Sequence, residues 1–339
     1  MSGIADVARR AGVSKSTASR ALTGSGYVSA ETRQRVRAAA DALGYVPSTH
    51  AVSLATGKTR TIGVIVPHVT RWYFGEVVDG IQSALISHDL DCALFSAEPG
   101  SAHRQRMFDT YLGRRRFDGL ITVGIEPSAR ELERIAELGK PLVTIGSYDA
   151  GASAVSIDDF DAAHRATEHL IGLGHTNITF VGGAPENDEH SFGDTRRILG
   201  YRAAMAKSGL AEHARHVPCD VDMPDGYATA VDFLSSSRVR PTAIVAVCDE
   251  VAIGVIIAAR RQGVGVPNDL SVIGIDDHAH AEMFSLTTLR QNPREQGETA
   301  VELLNRLIAE PASSPERVWA PATMIIRNST AAPPDHARA

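Results

Sequence analysis

Cysteine is scarce in this sequence: Cys92, Cys219 and Cys248 are the only three among 339 residues. Odd in number and widely spaced, they exclude a disulfide framework and fit a reducing compartment. Long apolar runs are missing too. No stretch approaches the ~20 residues a membrane helix needs, and the opening Met1-Ser2-Gly3-Ile4 has no signal-peptide pattern. A cytoplasmic location without a membrane partner is therefore expected. Enzyme signatures are absent: there is no G-x-S-x-G, S-x-x-K, H-E-x-x-H or paired C-x-x-C. Gly57-Lys58-Thr59 imitates the end of a phosphate loop, but the glycine such a loop requires is replaced by Val52. Gly263-x-Gly265 precedes Pro267 in a helix-to-strand loop, the wrong place for a dinucleotide fingerprint. Asp276-Asp277-His278-x-His280 has no second ligand cluster to complete a metal site. Neither an enzyme, a cofactor nor a metal is expected.

What is present is ordinary for a packed protein, with 43% hydrophobic and 22% charged residues. The length is two domains' worth on a prior of ~150 residues each. Arginine outnumbers lysine 30 to 4, a hint of a GC-rich bacterial genome. The net charge of −6 conceals an asymmetry. Residues 1–60 carry nine basic and three acidic side chains, a net +6; the other 25 basic and 37 acidic residues give −12. A basic head on an acidic body is expected when only the head meets phosphate. A basic amphipathic extension with no partner would carry the same charge.

The head's periodicity predicts three short helices. Ile4, Val7, Ala8 and Ala11 recur at helical spacing, and Gly12 supplies a left-handed stop. Ser14 is a good N-cap for a second helix reaching about Leu22. Its inward stripe is Thr17, Ala18, Ala21 and Leu22, opposite Lys15, Ser16, Ser19 and Arg20. A third helix is expected from about Ala30 to Leu43, with Arg33, Arg35 and Arg37 largely outward. The small alanines suit the close crossing of a helix-turn-helix, whose second helix lies in the major groove. Arg20 can fork onto guanine, Lys15 and Ser16 lead the helix, and Ser14, Thr17 and Ser19 can bind phosphates. A ligand-free three-helix bundle is the competing reading.

Beyond residue 61, β-branched runs at 61–66, 92–96, 119–123, 142–145, 155–157, 178–181, 243–247, 272–275 and 286–290 read as strands. Helical stretches at 74–88, 128–138, 160–173, 195–208, 225–235 and 250–262 alternate with them. Repeating β–α units predict parallel sheets, and about ten strands in ~275 residues suggest two lobes. Ligands of such sheets sit where strand ends face a cleft.

Three segments of the head, Asp6-Val7-Ala8-Arg9-Arg10-Ala11-Gly12-Val13-Ser14, Ser16-Thr17-Ala18-Ser19-Arg20-Ala21-Leu22 and Val28-Ser29-Ala30-Glu31-Thr32-Arg33, are followed by Leu43-Gly44-Tyr45-Val46-Pro47. Together they resemble the DNA-binding head of the LacI/GalR family of bacterial repressors. The resemblance continues to about Thr330 through Ile62-Gly63-Val64-Ile65-Val66-Pro67, Val155-Ser156-Ile157-Asp158, Arg197-Ile198-Leu199-Gly200-Tyr201, Asp249-Glu250-Val251-Ala252-Ile253-Gly254, Gly274-Ile275-Asp276-Asp277 and Arg327-Asn328-Ser329-Thr330. It implies a helix-turn-helix head at 1–46, a hinge helix and linker at 47–60, and a two-lobed α/β body at 61–339 like that of periplasmic sugar-binding proteins. Lobe 1 is expected at about 61–159 and 291–321, lobe 2 at about 160–290 and 322–330, with crossings near Asp159, Gln291 and Ala322.

The resemblance further implies a homodimeric, cytoplasmic, nucleoid-associated repressor bound to a near-palindromic operator with a central CpG step. A small-molecule effector, expected to be a carbohydrate, controls it. In the hinge, Leu54 matches the residue wedged into the central base step and Ala51 the small residue that permits close helix approach. Such a wedge is recovered through contacts made on bent DNA. Val52 stands where relatives usually carry Arg, and Ala55 where some carry Lys, which weakens the expected minor-groove electrostatics. In the body, Asp276 matches an acceptor for effector hydroxyls, Arg197 a donor, and Gln291 a cleft-facing residue. Arg71-Trp72-Tyr73-Phe74 aligns with an aromatic wall, of which Tyr73 and Phe74 are the effector candidates. Flat rings cover a sugar's C–H faces while fixed polar groups read its hydroxyls. Arg71 in place of a neutral Asn would favour an acidic or phosphorylated ligand, or simply lie exposed. Cys248 replaces an Asn of some sugar-binding relatives. Asp158-Asp159 is either a ligand contact or a helix-capping pair. A sugar-binding protein without regulatory work would have no use for the basic head.

Overall fold

The computed structural model describes residues 3–24, 26–45, 58–114, 117–125, 127–146, 151–183, 192–236, 240–311 and 313–334. The head contains α1 (Ile4–Ala11), α2 (Lys15–Thr23) and α3 (Ala30–Ala42). The backbone N–H of Gly3 donates to the Asp6 carboxylate at 2.9 Å and starts α1. Gly12 ends it at φ 67°, a conformation open to a residue without Cβ. Ser14 then caps α2 by accepting the Thr17 N–H at 3.1 Å. Val7, Ala18, Ala21, Val36 and Ala40 form a small closed core. Burial of two small alanines in α2 is what lets it lie against its neighbours and keep a polar face outward.

Two six-stranded sheets build the body. The first runs in the order β11-β5-β4-β3-β1-β2, with β1 (Thr61–Val66), β2 (Asp91–Ser96), β3 (Gly119–Val123), β4 (Leu142–Ile145), β5 (Ser153–Ser156) and β11 (Arg317–Trp319). The second runs β12-β10-β9-β8-β6-β7, with β6 (Ile178–Val181), β7 (Arg215–Val217), β8 (Ala243–Ala246), β9 (Ser271–Asp276), β10 (Thr287–Arg290) and β12 (Thr323–Ile325). Every pairing is parallel except β10 with β12. Central strands such as Gly119–Val123 and Ala243–Ala246 are buried along their whole length, as strands covered on both faces must be. The sequence located nine strands. The three it missed, β7, β11 and β12, are three-residue edge segments whose neighbours supply the pairing.

The helices covering these sheets include α4 (Trp72–Ser87), α5 (Ala102–Arg106, continuing into a π turn at Met107–Tyr111), α6 (Ala129–Glu137), α7 (Asp159–Gly172), α8 (Phe192–Lys207), α9 (Met223–Ser236), α10 (Asp249–Arg261) and α11 (Pro293–Ala309). The sequence reading did not place α11, although Asn292 caps it by accepting the Glu295 N–H and Pro293 opens it. It packs on α4 through glycines. A Cβ at Gly80 would collide with the Arg294 carbonyl, and one at Gly297 with that of Val77. The chain passes between the two sheets three times, at 157–158, 291–292 and 320–322. Strands β1, β3, β6 and β9 thus aim their C-terminal ends at the space between the lobes, where a ligand of doubly wound sheets binds.

Candidate functional site

Ser14, Lys15, Ser16 and Arg20 are exposed on one face of α2, with Thr17 and Ser19 half-buried beside them. The Ser14 hydroxyl lies within 2.9 Å of Ser16 Oγ and 2.8 Å of Thr17 Oγ1 as well as capping the helix. Arg20 Nε donates to the Ser16 carbonyl at 3.3 Å, which lays the side chain along the helix with its guanidinium exposed. None of these groups is acidic. The sequence reading is corrected at Arg33, which is half-buried, with its Nε unpaired among the described residues; Arg35 and Arg37 are exposed as expected. Ala51, Val52, Leu54 and Ala55 lie outside the described residues.

In the body, all five sequence-nominated residues, Tyr73, Phe74, Arg197, Asp276 and Gln291, line one cavity of about 410 Å³ between the lobes. A chain of hydrogen bonds borders it, passing through the buried Gln296. The Tyr73 hydroxyl donates to Gln296 Oε1 at 3.1 Å, Gln296 Nε2 to Gln291 Oε1 at 2.9 Å, and Gln291 Nε2 to Asp276 Oδ1 at 2.6 Å. Arg197 extends it through an ion pair. Its Nη2 lies 3.9 Å from Asp276 Oδ1, while Nε donates to Asp159 at 2.8 Å and Nη1 to the Val247 carbonyl at 2.6 Å. The chain therefore joins α4 and α11 on the first sheet to β9, α8 and α7 on the second.

Local structure fixes each member. Asp276 ends β9 at φ 135° and Asp277 follows at φ 59°, both positive and costly for non-glycine residues. That turn leaves Asp276 on the cavity and sends Asp277 to Arg290 (2.6 Å) and Arg327 (2.7 Å). Asp158 caps α7 by accepting the Asp161 N–H at 3.1 Å, and Asp159 lines the cavity. One residue of the pair is thus structural and the other faces the ligand space. Burial lifts the Asp159 and Asp276 carboxyls above the usual carboxylate range, with the Arg197 charge opposing the lift. Burial does the same to Asp249, which accepts from Thr288 Oγ1 at 2.7 Å and the His278 N–H at 2.8 Å behind the site.

The rings divide. Tyr73 and Phe74 meet edge to face at 5.4 Å on the cavity wall. Trp72 instead packs on His278, ring centres 4.8 Å apart. His278 is accounted for there: its Nδ1 accepts the His280 N–H at 2.9 Å, and burial pushes its imidazole down to about 4. Arg71, Cys248 and several carboxylates the sequence reading did not nominate also line the cavity, among them Glu98, Asp194, Asp220 and Glu250. Cys248 is buried, and burial raises its thiol well above the ordinary value.

Comparison with known proteins decides the family. Residues 3–48 match the family of bacterial regulatory proteins, lacI family, and residues 167–330 match the periplasmic binding protein-like domain. The HTH-type transcriptional repressor PurR of Vibrio campbellii is 34% identical over 309 residues, which cover 90% of this chain and 91% of that protein. The chain belongs to the lacI family. Among solved structures, the Lac repressor dimer bound to operator and the anti-inducer ONPF is similar over 98% of this chain and 99% of its own, at 26% identity and a TM-score of 0.85. A LacI family regulator from Enterococcus faecium with bound ribose covers 80% of this chain and 99% of its own, at 28% identity and a TM-score of 0.71. The lacI-family assignment fixes this chain as a transcriptional regulator rather than an enzyme, with a helix-turn-helix head and a two-lobed body. Among the described residues no helix is long and apolar enough to cross a membrane.

Proposed function

We propose that this lacI-family regulator is a homodimeric repressor that binds a near-palindromic operator and is controlled by a carbohydrate effector held between its lobes. Each head reads one half-site, with Arg20, Lys15 and Ser16 at base edges and Ser14, Thr17 and Ser19 on phosphates. Ala51 and Leu54 belong to a hinge helix that opens a central CpG step. The division into a head at 1–46, a hinge at 47–60 and a body at 61–339 is part of the same reading, as are a cytoplasmic location and association with the nucleoid. Tyr73, Phe74, Arg197, Asp276 and Gln291 hold the effector.

The observation that carries the effector assignment is the chain of contacts from Tyr73 to Arg197, hydrogen bonds as far as Asp276 and a 3.9 Å ion pair beyond it, which borders the cavity and links both lobes across a point where the polypeptide passes between them. A ligand replacing or extending that chain changes how the lobes sit on each other, so its binding energy differs between lobe arrangements. Effector and DNA affinities are then coupled reciprocally. The test is selection of duplexes from a random pool by the full-length protein at a stated salt concentration. Enrichment of a palindrome with a central CpG supports the reading. A non-palindromic winner contradicts the symmetric dimer.

A further inference from the structure

The lining of the inter-lobe cavity says more about its occupant than hydroxyl recognition alone. Among the described residues six acidic ones line it, Glu98, Asp159, Asp194, Asp220, Glu250 and Asp276, against two arginines, Arg71 and Arg197. Arg197 is engaged by Asp159 and the Val247 carbonyl, and only its Nη2 stands toward Asp276, at 3.9 Å. Arg71 lines the cavity in the field of Glu250 and Asp225. His68, also on the lining, adds no fixed positive charge, because burial pushes its imidazole toward the neutral form, with the Arg71 charge adding to it.

Asp276 makes the deficit concrete. The residue is only 5% exposed; its Oδ1 accepts from Gln291, and its Oδ2 accepts from no described residue. That oxygen of a largely buried carboxylate is open to a donor entering the cavity. A neutral polyol would satisfy the hydrogen bond and leave the charge surplus in place. A phosphate or carboxylate would add to it, which sets aside the acidic ligand that Arg71 suggested from sequence.

We infer that the effector is a hydroxylated molecule bearing a protonated amine, of the aminated-sugar class, and that anionic sugars are rejected. The inference rests on the cavity being the carbohydrate effector site proposed above. The cavity's 410 Å³ lies at the lower end of the ~300–1,000 Å³ of small-molecule pockets and suits a ligand of sugar size. The amine belongs near Asp276 and Glu250, with hydroxyls toward Gln291 and Arg197 and the ring against Tyr73 and Phe74.

The test is calorimetric titration of the full-length protein at low salt and pH 7.5 with matched series. Glucose, galactose and mannose are each compared as the free hexose, the 2-amino sugar, the 2-acetamido sugar and the 6-phosphate. The amino member is expected to bind at least tenfold tighter than its neutral and acetylated counterparts. That preference for the amine over the neutral sugar should fall several-fold in the charge-removing variants Glu250→Gln and Asp220→Asn, and should stay as in the wild type in Arg130→Ala, a surface change outside the cavity. The phosphates should not bind. A neutral or phosphorylated member that equals or exceeds its amine overturns this inference and leaves the carbohydrate reading standing. Absence of binding by every series overturns the carbohydrate reading and this inference with it.

Discussion

Replacing Arg197 by leucine probes the electrostatics that hold the lobes' inner surface together, without any need for effector. The guanidinium is 12% exposed and binds Asp159, whose side chain is equally buried, at 2.8 Å, with Asp276 at 3.9 Å. Breaking a buried ion pair by deleting one partner costs about 3–5 kcal/mol, because the remaining charge is stranded. The Val247 carbonyl also loses its donor, about 1 kcal/mol more. At ~2–4 °C per kcal/mol for a domain of this size, the body's melting temperature should fall by roughly 10 °C or more at pH 8.

The pH dependence has a definite sign. Burial already raises the Asp159 and Asp276 carboxyls, and Arg197 holds them back. Without it the folded state keeps protons that the unfolded chain has released, so stability falls as pH rises through and above the ordinary carboxylate range. The deficit of the variant should therefore be largest at pH 8 and shrink toward pH 5. Thermal unfolding of wild type and variant at both values measures it. Pairing the change with Asp159→Leu removes one stranded charge and should recover part of the loss. A drop under ~2 °C, or one that is the same at both pH values, would refute the reasoning; the scale comes from the same ~2–4 °C per kcal/mol.

Other expectations follow from particular contacts. Gly80→Ala puts a methyl against the Arg294 carbonyl and should destabilise the body by about 1–3 kcal/mol, exceeding the ~1 kcal/mol gained in helix propensity; a variant that melts higher would show that α4 and α11 adjust freely. Ser14→Ala removes the α2 cap and should cost the head about 1 kcal/mol, read as amide exchange in residues 15–23 about fivefold faster with exchange in the body unchanged. Arg20→Ala should relax preference at one base pair per half-site by about 1–3 kcal/mol. Leu54→Ala should weaken operator binding more than binding to random DNA. Equal losses on the two DNAs in competition assays would count against both DNA assignments.

Much of this molecule was legible in the sequence, and unevenly so. The head's turns were readable because their causes are local: Gly12 takes the left-handed conformation and Ser14 caps the next helix within three residues. Strands such as Thr61–Val66 announced themselves as β-branched runs buried in parallel sheets. The three edge strands did not, since Arg215–Val217 and its like carry no pattern of their own and exist by pairing. Helix α11 carried an Asn-Pro start that the periodicity reading passed over. In the cavity, Arg197, Asp276 and Gln291 came from family resemblance. Gln296 escaped because its role depends on α11 lying beside Tyr73, a tertiary fact. The excess of carboxylates escaped for the same reason: Glu98, Asp220 and Glu250 belong to separate loops and helix starts, and only the meeting of the lobes gathers them. Arg33 was placed outward by its helical position, yet α3 packs it halfway into the head.

One chain couples a reading head to a ligand cavity, and that coupling is directly measurable. Fluorescence anisotropy of the selected operator, titrated with full-length protein at fixed salt, is repeated at saturating concentrations of a sugar shown by calorimetry to bind. The operator dissociation constant should shift in either direction by about 5–150-fold, and the sugar's own affinity should shift by the same factor when operator is present. An operator affinity that stays the same with the cavity filled and empty would show that head and cavity are uncoupled.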